Sequence, residues 1–458
     1  MKILNQNQST PIKKVLDSEE LEFIKKNILD NCKKYFQLKW SNIVNSGTDM
    51  IPASSKFLTH EDLESLVSSS MDLWLTSGRF TKQLEEKISK QFSDSYAKLT
   101  VSGSAANLLA FSALTSSKLG EKRIKPGDEV ITVAAGFPTT VFPILQNNCI
   151  PVFLDINLDN YNINCDDLKK ALTQKTKAVM IAHTMGNPFD CEKIKNFCDL
   201  HNLYLIEDCC DALGSTFNNK HVGTFGDFAT LSFYPAHHIT TGEGGAVITK
   251  KKSFLRLIES FRDWGRDCWC ETGYNNTCGK RFGQKQGELP HGYDHKFIYS
   301  HIGYNLKITD MQAALGCSQF DKLGFFIKKR KENFNILKNF LIEWGAEKYF
   351  ILPKATENSD PSWFGFLLTI KNENLINRNN LTSWLEANKI LTRLLFAGNL
   401  TKQPAFKEAQ YRKIGNLENT DKVMKNSFWV GIYPSLTVEN MKYISETIKN
   451  FFKKDELI

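Results

Sequence analysis

The chain has 458 residues, enough for one to three domains with sizeable cores. Its 41% hydrophobic and 24% charged residues are those of an ordinary globular protein, with a formal charge of +8 spread along the chain. No basic stripe points to nucleic acid and no apolar run approaches the roughly 20 residues of a membrane span. The polar start Met1–Thr10 lacks the apolar core of a signal peptide, so a cytoplasmic protein is expected.

Residues 1–60 read as an N-terminal arm, 61–320 as a large domain, and 321–458 as a long helix with a smaller C-terminal α/β domain. Leu84, Ile88 and Phe92 recur at i, i+4, i+8 and predict an amphipathic helix. Val101-Ser102-Gly103-Ser104 then opens a helix predicted over Ala105–Thr115. Such a turn offers free backbone N–H groups and the positive end of the dipole, which suit a phosphate; a plain serine N-cap gives the same pattern. Strand-like segments at Val130–Ala134, Val152–Ile156, Ala178–Ala182 and Leu203–Ile206 alternate with helical stretches, the signature of a mostly parallel sheet. The last runs into Glu207-Asp208 and so places a carboxylate at a strand end, where open α/β sheets gather ligand-binding groups.

A strand predicted over Ala229–Phe233 ends in Tyr234-Pro235-Ala236-His237-His238, and a glycine cluster leads to a second strand, Ala246–Thr249. No lysine lies between His221 and Thr249. Histidine moves protons but does not form a stable imine with an aldehyde. An insert at 262–282 follows. In it, Cys268-Trp269-Cys270 and then Cys278, after seven intervening residues, set three thiols in one polar loop. That pattern points to ligation with a fourth ligand from Cys209 or Cys210, and it leaves iron–sulfur and zinc both open. Thr309 is the expected cap of the next helix, and a long helix with Phe334, Leu337 and Leu341 on one face leads into the smaller domain.

Several stretches carry a resemblance: Trp74–Phe80, Gly136-Phe137-Pro138-Thr139-Thr140, Ala182–Pro188, Asp208–Gly214, the histidine loop, Tyr299–Gly316 and Thr392–Leu400. From about Ile51 onward the chain resembles the 3-dehydrases of CDP-4-keto-6-deoxy-D-glucose. These are a histidine-bearing subgroup of the DegT/DnrJ/EryC-type sugar aminotransferase family. Lysine-bearing members read Ser-Phe, three residues, Lys, then Gly-Glu-Gly-Gly; here His237 stands at the lysine position.

The resemblance implies the α/β fold of the PLP-dependent aspartate aminotransferase type (fold type I). It also implies pyridoxamine 5′-phosphate held noncovalently. Gly103, Ser104 and Ser232 would hold the phosphate, Phe137 would lie over the ring and Asp208 would meet its nitrogen. Asn305 would reach the cofactor phosphate of the partner subunit in a homodimer. His237 is the expected base, with His238 beside the cofactor as its rival. Reductive relatives carry four cysteines whose intervals match Cys210, Cys268, Cys270 and Cys278, implying a 2Fe–2S cluster fed by an NAD(P)H-dependent flavin/iron–sulfur reductase. Arg393 and Asn399 are expected to face a nucleotide-diphosphate sugar. The expected reaction is C3 dehydration and deoxygenation of a 4-keto-6-deoxyhexose in 3,6-dideoxyhexose biosynthesis. The rivals are a cluster-free GDP-4-keto-6-deoxymannose 3-dehydratase and a non-catalytic iron–sulfur sensor on a B6 fold.

Overall fold

In a computed structural model of the chain, residues 19–270 and 272–454 are described; the polar start Met1–Thr10 lies outside them. Seven strands of the main sheet come in chain order: β1 (Tyr96–Thr100), β2 (Glu129–Val133), β3 (Ile150–Leu154), β4 (Thr176–Ala182), β5 (Tyr204–Asp208), β6 (Phe228–Ser232) and β7 (Gly245–Thr249). An eighth, β8 (Arg412–Lys413), arrives from the C-terminal region. Their order is β1-β7-β6-β5-β4-β2-β3-β8. Every pairing is parallel except those of β7 with β1 and β6. Strands β2, β6 and β7 are buried along their whole length, because helices cover both faces of this mostly parallel sheet.

Helix α1 (Glu19–Lys39) buries no residue. Helix α2 (His60–Met71) is tied to the helix Asp310–Asp321 and its cap through Asp62, which accepts from Ser318 Oγ at 2.7 Å and from Gln319 Nε2 and Lys322 Nζ at 2.8 Å. Helix α3 (Arg79–Gln91) buries Leu84 and Ile88 as the spacing predicts, and Phe92 at its end is buried too. Helix α4 (Gly103–Leu114) starts two residues before the predicted point, because Ser102 is the cap: its Oγ accepts from the Ala105 N–H at 3.0 Å. Thr309 caps the helix Asp310–Asp321 with a reciprocal Gln312 bond.

The smaller body is built on the helix Leu323–Glu343, which buries Phe334, Leu337 and Leu341. A three-stranded sheet with Phe366–Ile370 at its centre packs there with the helix Val438–Lys454. The C-terminal third also returns to the large body: β8 pairs with β3, and Leu400, Phe406 and Leu417 join the core there. Between Arg262 and Asp310 the only regular element among the described residues is the short turn His295–Phe297, so the irregular stretch runs well past residue 282. No helix among the described residues is long and apolar enough to cross a membrane.

Candidate active site

The carboxyl ends of the central strands open onto a cavity of about 810 Å³. One wall is the start of α4. A Cβ on Gly103 would collide with the Cβ of Ser232, so only glycine lets α4 begin against the end of β6. The first N–H groups of α4, the exposed Ser104 and the Ser232 hydroxyl therefore converge at this wall. Thr132 Oγ1, also on the cavity, is buried with no hydrogen-bond partner. These donors suit a phosphate monoester.

Asp208 ends β5 with its carboxylate buried. Oδ2 accepts from Asn107 Nδ2 at 2.8 Å and from Thr140 Oγ1 at 2.7 Å, and Oδ1 accepts from the Cys210 N–H at 3.1 Å. Asn107 is in turn held by Thr230 Oγ1 at 2.7 Å. A carboxylate fixed in this way can bind one protonated ring nitrogen without moving. Neighbouring Glu207 is held differently, accepting from the N–H groups of Gly223, Phe225 and Gly226 and lying 3.1 Å from His183 Nε2. That saturation makes the buried trio His183, Glu207 and Cys209 a structural tie.

His237 also lines the cavity, half-buried, with its ring against Phe364 at 5.2 Å. Its Nδ1 lies 3.5 Å from Asp211 Oδ1, without hydrogen-bond alignment. Burial pushes the imidazole down to about 4 and the Asp211 carboxyl up to about 8, the latter with help from the charge of Asp208. Behind them Arg330 is fully buried and donates to the carbonyls of Phe364 at 2.9 Å, Trp363 at 3.3 Å and His237 at 3.4 Å. It sets the height of the histidine loop. A neutral imidazole beside a neutral carboxyl can take up one proton, and nothing in the loop can form an imine.

Phe137 is half-exposed on the cavity rim, edge-to-face with Phe396, and Arg393 and Cys210 also line the wall. Three other expected residues do not line it. His238 is buried behind the loop, with Nε2 3.3 Å from the carbonyl of Ser362. Asn399 caps the turn Leu400–Lys402 and binds Asp421 at 2.7 Å. The exposed Asn305 side chain meets Lys307 Nζ at 2.7 Å. Asp211, Arg330, Asn107 and Thr140 do not stand out as site residues in the sequence. Asp211, three residues past Asp208, and Thr140, at the end of the stretch that starts at Gly136, each have a local signal.

The cysteines fall into two places. Cys268 Sγ accepts from the Cys270 N–H at 3.5 Å, Cys270 Sγ meets Thr277 Oγ1 at 3.0 Å, and Cys278 Sγ lies 3.6 Å from His295 Nδ1. All three thiols are half-buried in the insert. Cys210, by contrast, is at the start of α4, where its Sγ would be 3.1 Å from a Cβ on Gly103. Asp267, next to Cys268, pairs with Lys118 beyond the other end of α4 at 2.6 Å. A helix of this length spans about 18 Å. One chain therefore does not bring the four thiols together, although the donor chemistry of the insert suits a soft metal centre.

A profile of the DegT/DnrJ/EryC1/StrS aminotransferase family matches residues 57–449. The chain is 54% identical to "Lipopolysaccharide biosynthesis protein RfbH" of Salmonella typhimurium, over 89% of this chain and 93% of that one. It is 47% identical to the dTDP-4-dehydro-2,6-dideoxy-D-glucose 3-dehydratase of Saccharopolyspora spinosa, over 94% and 92% of the two chains. Among solved structures it matches GDP-4-keto-6-deoxymannose-3-dehydratase with a trapped PLP–glutamate geminal diamine, with a TM-score of 0.77 and 29% identity over 87% of this chain and all of that one. The fold is thus the fold-type-I arrangement expected from the sequence, and the protein is an enzyme. The chain belongs to the DegT/DnrJ/EryC1/StrS aminotransferase family.

Proposed function

We propose that the chain removes the C3 hydroxyl of a nucleotide-linked 4-keto-6-deoxyhexose, with CDP-4-keto-6-deoxyglucose as the substrate to which we commit. One observation carries the reading: the Schiff-base position of the strand–loop–strand holds His237, which lines the same cavity as Asp208. Two relatives named as 3-dehydratases support it.

Pyridoxamine 5′-phosphate, when bound, supplies the amine that engages the C4 ketone and the electron sink that lets the C3–O bond break. Gly103, Ser104 and Ser232 would hold its phosphate, Asp208 would keep the ring nitrogen protonated, and Phe137 would cover the ring. His237 would serve as the base for the proton at the cofactor's C4′ carbon, a transfer worth roughly 10²–10⁴-fold. Arg393 faces the sugar nucleotide. His238 acts behind His237 by fixing the loop.

The reductive half uses two electrons from NAD(P)H through a separate flavin/iron–sulfur reductase. We assign Cys210, Cys268, Cys270 and Cys278 as ligands of a 2Fe–2S cluster. The enzyme is proposed to be a homodimer, in which Asn305 reaches the partner's phosphate and the insert reaches the partner's Cys210. The deciding experiment incubates the enzyme with CDP-4-keto-6-deoxyglucose and pyridoxamine phosphate, without reductase, in ¹⁸O-water. Exchange of label into the C3 hydroxyl is expected. No exchange with the CDP, dTDP or GDP sugar would sink the dehydration reading.

A further inference from the structure

Two aromatic residues on the cavity break the rules of the local structure that carries them. Phe137 is the N-cap of the helix Pro138–Gln146, a place where a side-chain oxygen would satisfy a free N–H and phenylalanine offers none. Phe396 has φ +45°, in the left-handed region that a bulky side chain rarely adopts. Such departures persist where the surroundings over-determine them, and they gather at functional sites. Here the two side chains line one cavity and meet edge-to-face, with ring centroids 5.7 Å apart and planes at 88°.

The backbone around Phe396 is clamped from two sides. Arg393 and Trp429 exchange backbone bonds at 3.1 and 2.7 Å, which fastens the loop to the strand Ser427–Val430 of the smaller body. The Leu394 carbonyl accepts from Trp429 Nε1 at 3.0 Å and from the Phe396 N–H at 2.7 Å, which closes a three-residue turn centred on Leu395. On the other side the Ala397 N–H donates to the Gly136 carbonyl at 3.4 Å, one residue before Phe137. Phe137 itself is 50% exposed, so burial alone does not fix its ring, whereas an edge-to-face partner restrains it. We propose that Phe396 is a positioning residue for Phe137: it holds that ring in place over the cavity and ties it to the smaller body. The inference rests on the place given to Phe137 under Proposed function.

The test titrates pyridoxamine phosphate by fluorescence into the wild-type protein, Phe137→Leu, Phe396→Leu and the double variant, with folding checked by circular dichroism. Phe396→Leu is expected to weaken binding by about threefold or more, the size of one aromatic pair. Phe137→Leu should weaken it at least as much, and adding Phe396→Leu to Phe137→Leu should cost nothing further. Phe396→Tyr, which keeps the ring, should bind as the wild type does. Wild-type affinity in Phe396→Leu overturns the proposal. Equal losses from Phe396→Leu in the two backgrounds overturn it as well, because Phe396 would then act without Phe137. Where the leucine variant does not fold, Phe396→Met carries the same comparison. Wild-type affinity in Phe137→Leu removes that residue from the cofactor wall and sinks both its assignment under Proposed function and this inference, whereas the first two adverse results sink this inference alone.

Discussion

His237, Asp211 and Arg330 form one unit at the residue scale, and their shifts run in opposite directions. His237 lies near 4 against an ordinary 6.5, and Asp211 near 8 against 3.8. A depressed histidine contributes stability that is present above 6.5 and lost as pH falls towards 4. A raised carboxyl contributes stability that is present below 3.8 and lost as pH rises through 8. The two slopes oppose each other between 4 and 6.5, and only that of Asp211 remains above. Cofactor-free protein should therefore lose thermal stability from pH 6.5 to 8, and Asp211→Asn should flatten that decline. A wild-type melting temperature that does not fall over this interval would mean the carboxyl is ionised in the folded state. For catalysis, His237→Asn should abolish exchange at C3 while leaving cofactor affinity within a few-fold, since the ring makes no bond that holds the phosphate wall. Retained exchange would reassign the base.

At the scale of elements, the site depends on how closely α4 approaches β6. Gly103→Ala puts a methyl group against Ser232 and should push the α4 start out of line with the phosphate. A loss of at least tenfold in cofactor affinity, about 1.4 kcal/mol, is expected by fluorescence titration. Affinity equal to wild type would place the phosphate elsewhere. These features are legible in the sequence because each is local: the capping serine, the strand end at Asp208 and the histidine loop all lie within a few residues of their signals. Arg330 is not legible, since it comes from a helix some ninety residues beyond the loop it supports and looks like any other cation of the run Lys328 to Lys331. Asn399 shows the opposite failure. It sits in a stretch that resembles a substrate-facing one, yet both ends of its amide are used on Asp421 and Thr401. Resemblance transfers a position; hydrogen-bond saturation decides whether the side chain is free to bind anything.

At the scale of the whole molecule, the separation of Cys210 from the insert becomes a statement about assembly. The start of the insert is paired with the segment around Asn305 through Trp264 N–H to Tyr304 O and the Asp263–Asn305 bridge. If Asn305 reaches a partner's phosphate, the insert travels with it towards the same α4 start, where the partner's Cys210 is found. Ile302, 97% exposed, and the half-exposed Phe297 and Tyr299 lie on this segment, apolar surface that a second copy would cover. Cys210→Ser and Cys268→Ser should each lose the cluster alone. Unfolded together, refolded and reconstituted, the mixture should regain about one quarter of wild-type iron: half the dimers are mixed, and each mixed dimer has one complete site by two-fold symmetry. A centre built within one chain predicts no recovery, because neither variant then contains an intact set. Iron retained by Cys210→Ser alone would remove that residue from the ligands altogether and leave the three insert thiols to be completed by another group.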